Sequence, residues 1–271
     1  MKTDPCSHPE ELRAGRQRGW TLTELLVVLA VLAVLALTVL PATARSNTPS
    51  AGAVCANNLR QIMAAVAMYA TDNGDCMPHP SWGSIDSSPG PNNWCYATRI
   101  GNQQIPSAAG RSGTNQLPFY RAGQLAPFLK THEVFFCPTD LEDSLARLSF
   151  SSWYKQRPCK LTSYAMNGAV CGFGQLAPSG TSYRLGQFKP SDICFWELDE
   201  SRPFNFNDAA SLPNPIERVS QRHGADVIVA TFGGGTEWMS FSQWTRYSRP
   251  PMSELPNRLW CDPVAFRGGY Q

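Results

Sequence analysis

Residues 18–44 read RGWTLTELLVVLAVLAVLALTVLPATA, and the twenty from Leu25 to Ala44 carry no formal charge. A hydrocarbon core of about 30 Å takes about 20 mostly apolar residues as a helix, so this stretch predicts a membrane span. It is apolar on every face, unlike the half-buried helix of a soluble domain. Lys2, Arg13, Arg16 and Arg18 precede it, and only Arg45 follows closely. That bias places the N-terminus in the cytoplasm and the residues after 45 outside.

Three fates of the segment fit its flanks. It could stay as an uncut anchor, or be cut as a secretory signal at the A-x-A-like Ala42-Thr43-Ala44. The third fate turns on Gly19, which ends the basic leader, and on Glu24, five residues later. A charge within a membrane helix costs ~2.5–3.5 kcal/mol, so such a residue usually has a partner. At the headgroup interface the cost is small, which is the plainer explanation of Glu24.

Composition narrows the outer part. The 271 residues carry 23 basic and 21 acidic side chains, which gives no electrostatic reason to expect nucleic acid. Only 16% are charged, with 21 Gly and 22 Pro, the balance of a loop-rich, polar-uncharged domain. The 42% apolar content is enough for a buried core and argues against disorder. Nine cysteines lie scattered without a C-x-x-C, so zinc ribbons and thioredoxin-like sites have no support. After an export signal such cysteines pair as disulfides; in a reducing compartment they are buried thiols. Removal of residues 1–19 takes Cys6 away and leaves an even set of eight.

After the breaker SNTPSAG, Cys55, Leu59, Ile62, Met63, Val66 and Tyr69 recur at helical spacing. They predict a helix from Ala53 to about Asp72, stopped by Asp72-Asn73-Gly74-Asp75, with Asn57, Asn58, Arg60 and Gln61 on its other side. Residues 78–123 form a variable lobe whose Trp82, Trp94, Tyr96 and Tyr120 either contact a glycan or peptide or fill the interior. Leu125–Leu129 predicts a short helix and Val134–Phe136 a short apolar element. Candidate strands are Thr162–Met166, Ile193–Leu198, Val227–Phe232 and Thr236–Phe241, the last two a hairpin over Gly233-Gly234-Gly235. The sheet then falls within 160–245, and the tail from Ser248 reads as an extended cover strapped by one bridge.

The junction Gly19-Trp20-Thr21-Leu22-Thr23-Glu24 and the apolar helix after it resemble the class III signal of type IV pilins and type II secretion pseudopilins. The stretches CANNLRQIMAAVAMYATDNGD (55–75), FFCPTD (135–140), TSYAMNG (162–168) and RHG (222–224) are similar to those of large pseudopilin-like proteins of Planctomycetes and Verrucomicrobia. The resemblance implies a cytoplasmic leader (1–19), a transmembrane assembly helix (20–44) and an extracytoplasmic pilin-like domain (45–271). The fold it implies is α+β, with the long helix kinked near Pro41 and a second amphipathic helix on a small antiparallel sheet, loop-rich and pinned by disulfides such as Cys55–Cys137. A prepilin peptidase would cut between Gly19 and Trp20 and methylate the amine of Trp20, which stands where phenylalanine is usual. Glu24 would pair with a neighbouring subunit's amine and set the register. Implied partners are other copies or other pilins, the peptidase and the inner-membrane assembly platform. The implied location is the bacterial inner membrane, single-pass, and afterwards a filament.

One departure is informative. The family's H-x9-D-G becomes His223 followed by Gly233-Gly234, so the position serves a hairpin turn rather than an aspartate's chemistry. His223 itself reads as a strand-start histidine bonded to backbone, with a ligand or base as the alternative. No hydrolase, P-loop or dinucleotide motif is present, so no enzyme, cofactor or metal is expected. Calcium, which some pseudopilins bind, would draw on loop acids among Asp72, Asp75, Asp140 and Asp143 or the cluster Glu197, Asp199 and Glu200. The leading function is a structural subunit of a type IV pilus or type II secretion-type filament. The alternatives are a minor tip subunit or adhesin binding glycan or cargo, and a membrane-anchored extracellular enzyme using paired carboxylates such as Glu197 and Asp199.

Overall fold

The computed structural model describes residues 21–32, 50–140 and 153–270. The chain divides into two units, Met1–Thr48 and Pro49–Gln271. In the first, residues 22–32 are helical (α1), and Leu25, Leu26, Val27, Leu29, Val31 and Leu32 are exposed. The rest of the predicted span, with Pro41 and its expected kink, lies outside the described residues. Among the described residues no helix is long and apolar enough to cross a membrane.

The second unit is a mixed helix and sheet fold. Helix α2 (Ala51–Asp72) starts two residues before the expected Ala53, because Ser50 caps it, its Oγ accepting from the Ala53 N–H at 3.2 Å. Gly52, read as part of a breaker, instead lies inside the helix against Trp238, whose ring would clash with an added Cβ. The stop is as expected: the Asn73 N–H donates to the Tyr69 and Ala70 carbonyls, and Gly74 and Asp75 take positive φ. Cys55, Leu59, Ile62, Met63 and Val66 form the buried stripe. Asn58, expected on the polar side, is buried as well, and its Nδ2 donates to the Phe136 carbonyl at 2.9 Å.

The larger sheet has the order β5-β3-β4-β6-β7, from β3 (Tyr164–Asn167), β4 (Ile193–Glu197), β5 (Ala210–Ser211), β6 (Asp226–Thr231) and β7 (Thr236–Ser240). Its four long strands pair antiparallel, within a residue or two of their expected bounds. The short β5 was not expected and pairs parallel to β3, so the sheet is not purely antiparallel. Strands β3 and β4 are buried at every residue, so they show no alternation, only a run of β-formers between turns. At the hairpin tip only Gly234 of the three glycines has positive φ. Phe241, expected to end the last strand, begins helix α4 (Phe241–Ser248), because Ser240 and Gln243 close a capping box there. Between α2 and this helix lie the short α3 (Leu117–Arg121), a small hairpin of β1 (Arg99–Ile100) and β2 (Gln103–Gln104), and several 3-10 turns. Those turns include Ala126–Phe128 and His132–Phe135, where the short helix and the apolar element were expected.

The aromatic residues of the 78–123 lobe point inward. Trp94, Tyr96 and Tyr120 are buried, and Trp82 is half-buried against Gly168 and Gly174. Trp94 packs edge-on between Phe135 and Phe195, each at 4.9 Å, and its Nε1–H donates to the Ala209 carbonyl.

The eight cysteines from Cys55 to Cys261 are free thiols, where their spacing led us to expect bridges. Hydrogen bonds do the strapping instead. Gln116 Nε2 ties the lobe to the segment that follows it by donating to the Pro106 and Pro158 carbonyls. Buried Asn167 Nδ2 ties the tail to the sheet by donating to the carbonyls of Leu259 and Ile193.

Candidate functional site

Four chemically active side chains converge under α2. Cys55 sits one turn into that helix, on its buried stripe. Cys137 follows the 3-10 turn His132–Phe135, and its N–H donates to Ser163 Oγ at 3.1 Å. Glu197 ends β4 opposite Tyr164. His223 lies in the loop before β6, edge-on to Trp238. One donor atom from each of the four lies within 4.8 Å of all the others. Cys55, Cys137 and Glu197 are fully buried, and the His223 side chain is 6% exposed.

The contacts meet at a single imidazole atom. His223 Nε2 is 3.4 Å from Cys137 Sγ and 3.1 Å from Glu197 Oε1. A relay in which a carboxylate orients a histidine that activates a thiol uses both ring nitrogens. Here both partners sit at Nε2, and both thiols are sealed from solvent.

Behind the cluster lies a buried ion network. Asp140 receives two hydrogen bonds from Arg157, both at 2.9 Å, and one from Ser163 Oγ at 2.7 Å. Arg222 Nη1 is 3.5 Å from Asp140 Oδ2. Its Nη2 donates to the Leu198 carbonyl and to Glu200 Oε2, and its Nε to Ser220 Oγ. Burial pushes the Asp140 carboxyl up, but Arg222 and Arg157 outweigh it and hold it well below the carboxylate range. Burial likewise pushes the Cys137 thiol up, yet hydrogen bonds to Cys55 and His223 and the Arg222 charge bring it far below its ordinary value. Burial lowers His223, whereas its bonds to Cys137 and Glu197 raise it to about 9. Glu197 is pushed up by burial despite its bond to His223.

The predicted site residues fare unevenly. Gly19, Trp20 and Pro41 lie outside the described residues. Glu24 is in the first turn of α1, where its Oε2 accepts from the Thr21 N–H and Thr21 Oγ1, both at 2.8 Å. Cys55 and Cys137 do come together, as free thiols. His223 bonds to side chains, where a backbone partner was expected. Glu197 and Asp199 do not act as a pair: Asp199 accepts from Ser201 outside the strand. Sequence reading missed the cluster because even its consecutive members are 26 to 82 residues apart. Three of the four nevertheless stand in stretches quoted above: CANNLRQ, FFCPTD and RHG.

Residues 15–40 match the family model described as the prokaryotic N-terminal methylation motif. The chain carries a prepilin-type signal. A signal of this kind marks secreted subunits of the type IV pilin and pseudopilin type, and implies processing by a prepilin peptidase and assembly with other pilins. It points to a membrane-anchored N-terminus and to a structural subunit. No curated protein and no solved structure matches the chain.

Proposed function

We propose that this protein is a pilin-like subunit, cut between Gly19 and Trp20, methylated on the amine of Trp20, and polymerised through its N-terminal helix. The observation that carries this reading is the prepilin-type signal over residues 15–40, which contains Gly19, Trp20 and Glu24 in order. The apolar run from Leu25 to Ala44 would hold the subunit in the inner membrane, with residues 1–19 cytoplasmic and the folded unit outside. An assembly platform would then extract it, and bundled helices would replace lipid as the cover of that surface. A buried carboxylate finds its opposite charge at one stagger only, so Glu24 would set axial register. The filament is of the type IV pilus or type II secretion type.

The test is assembly. Cells making Glu24→Ala should process the subunit at the normal rate yet yield a several-fold smaller sheared or surface filament fraction. Normal filament yield from that variant would remove the register role.

A further inference from the structure

We propose that Cys55, Cys137, Glu197 and His223 form a structural metal site that takes a single zinc ion. The four donor atoms lie within 4.8 Å of one another. A tetrahedral zinc centre with bonds of ~2.0–2.3 Å spaces its ligand atoms about 3.3–3.8 Å apart. The two contacts at His223 Nε2, 3.4 and 3.1 Å, already have about that spacing.

The donor set selects the metal. Two thiolates and an imidazole favour zinc over the oxygen-seeking cations calcium and magnesium. Four protein ligands in a buried pocket leave no open position, which is the arrangement of a structural rather than a catalytic ion.

The surroundings supply what such a site needs. Two thiolates and one carboxylate around a divalent ion leave one negative charge, and Arg222, whose side chain is buried, stands beside Cys137 and Glu197 to balance it. Arg222 is itself oriented by Ser220, Leu198 and Glu200, so its charge is fixed in place. The Cys137 N–H is held by Ser163, which is held in turn by Asp140. The Tyr164 hydroxyl is buried beside Cys55, Cys137 and Glu197 and faces the Cys55 thiol. Binding would release the remaining thiol protons to solvent and place one ion at the junction of α2, the Cys137 loop, β4 and the loop before β6.

The alternative chemistry for the same atoms is a Cys55–Cys137 disulfide, formed by loss of two electrons and two protons to an oxidant. The two states exclude each other, and this makes the test decisive. Full-length protein purified in detergent without chelator is analysed for metal content and intact mass. The site predicts about one zinc per chain and no mass loss from a Cys55–Cys137 bridge. Replacement of zinc by Co2+ should give the intense visible bands of a tetrahedral thiolate site. Cys55→Ser and His223→Ala should each lower zinc affinity at least ~10-fold, while Cys76→Ser, outside the cluster, keeps wild-type zinc content. Because ligand variants could fail to fold, the wild-type Co2+ spectrum stands as an independent readout. A bridge linking Cys55 to Cys137, zinc absent after incubation with Zn2+ alone, or an octahedral Co2+ spectrum would each overturn the proposal.

Discussion

Thr21 and Glu24 close a reciprocal cap at the start of α1. The Glu24 N–H donates to Thr21 Oγ1 at 3.3 Å, while Glu24 Oε2 accepts from the Thr21 N–H at 2.8 Å. The carboxylate that the signal calls for therefore has a local role in this chain before any neighbouring subunit arrives. Cap and register make different demands on the side chain, since glutamine can cap but cannot pair with an amine.

This separates two variants that would otherwise look alike. Glu24→Gln keeps the cap, whereas Glu24→Ala loses it, at about 0.5–2 kcal/mol of helix stability. If charge sets register, both should be processed and both should assemble poorly, as read from sheared filament yield. Recovery of assembly by Glu24→Gln alone would assign the residue to capping.

The Asp140 network gives a stability prediction for the folded unit. Asp140→Asn leaves Arg157 and Arg222 buried with a weakened partner, and breaking a buried pair costs about 3–5 kcal/mol. Chemical denaturation should show a loss of that order, with a lower midpoint. A loss under about 1 kcal/mol would mean that solvent reaches the network.

Trp94 tests the reading of the lobe. Packed between Phe135 and Phe195 and bonded to Ala209, it should cost about 3–5 kcal/mol on truncation to alanine. Trp82→Ala, at a half-buried ring, should cost less. Equal and small losses would return both rings to a surface role.

Asp208 predicts a pH dependence opposite to that of Asp140. Burial raises its carboxyl to about 7, against the lowering effect of the Gly83 and Ala210 N–H groups. The folded state therefore holds a proton that the unfolded chain has already released between about pH 4 and pH 7. Stability should fall as pH rises through that window, with a slope approaching about 1.4 kcal/mol per unit for one proton. Asp208→Asn should flatten this part of the profile, and an unchanged slope would assign it to another group.

How much of this was legible in the sequence follows from the range of the forces involved. The α2 stripe and its stop, the main strands and the hairpin over Gly233–Gly235 are set by neighbours a few residues away, and periodicity and turn chemistry reveal them. Helix α4 was missed because the cap formed by Ser240 and Gln243 overrides the β-like reading of Trp238–Phe241. Asn58 was misplaced because helical spacing sorts residues by polarity, and its partner is the Phe136 carbonyl, 78 residues on. The same limit hid the cluster. Cys55 and Cys137 are paired in the sequence only as a disulfide, Glu197 and His223 stand apart from them and from each other, and only the pairing of β4 with its neighbours and α2 above brings the four together.

The most direct test of the central claim is the N-terminus and intact mass of the protein from its native membranes. The account predicts a chain that begins at Trp20, with residues 1–19 removed and one methyl added to the amine. A chain beginning at Arg45, or one that retains Met1, would contradict it.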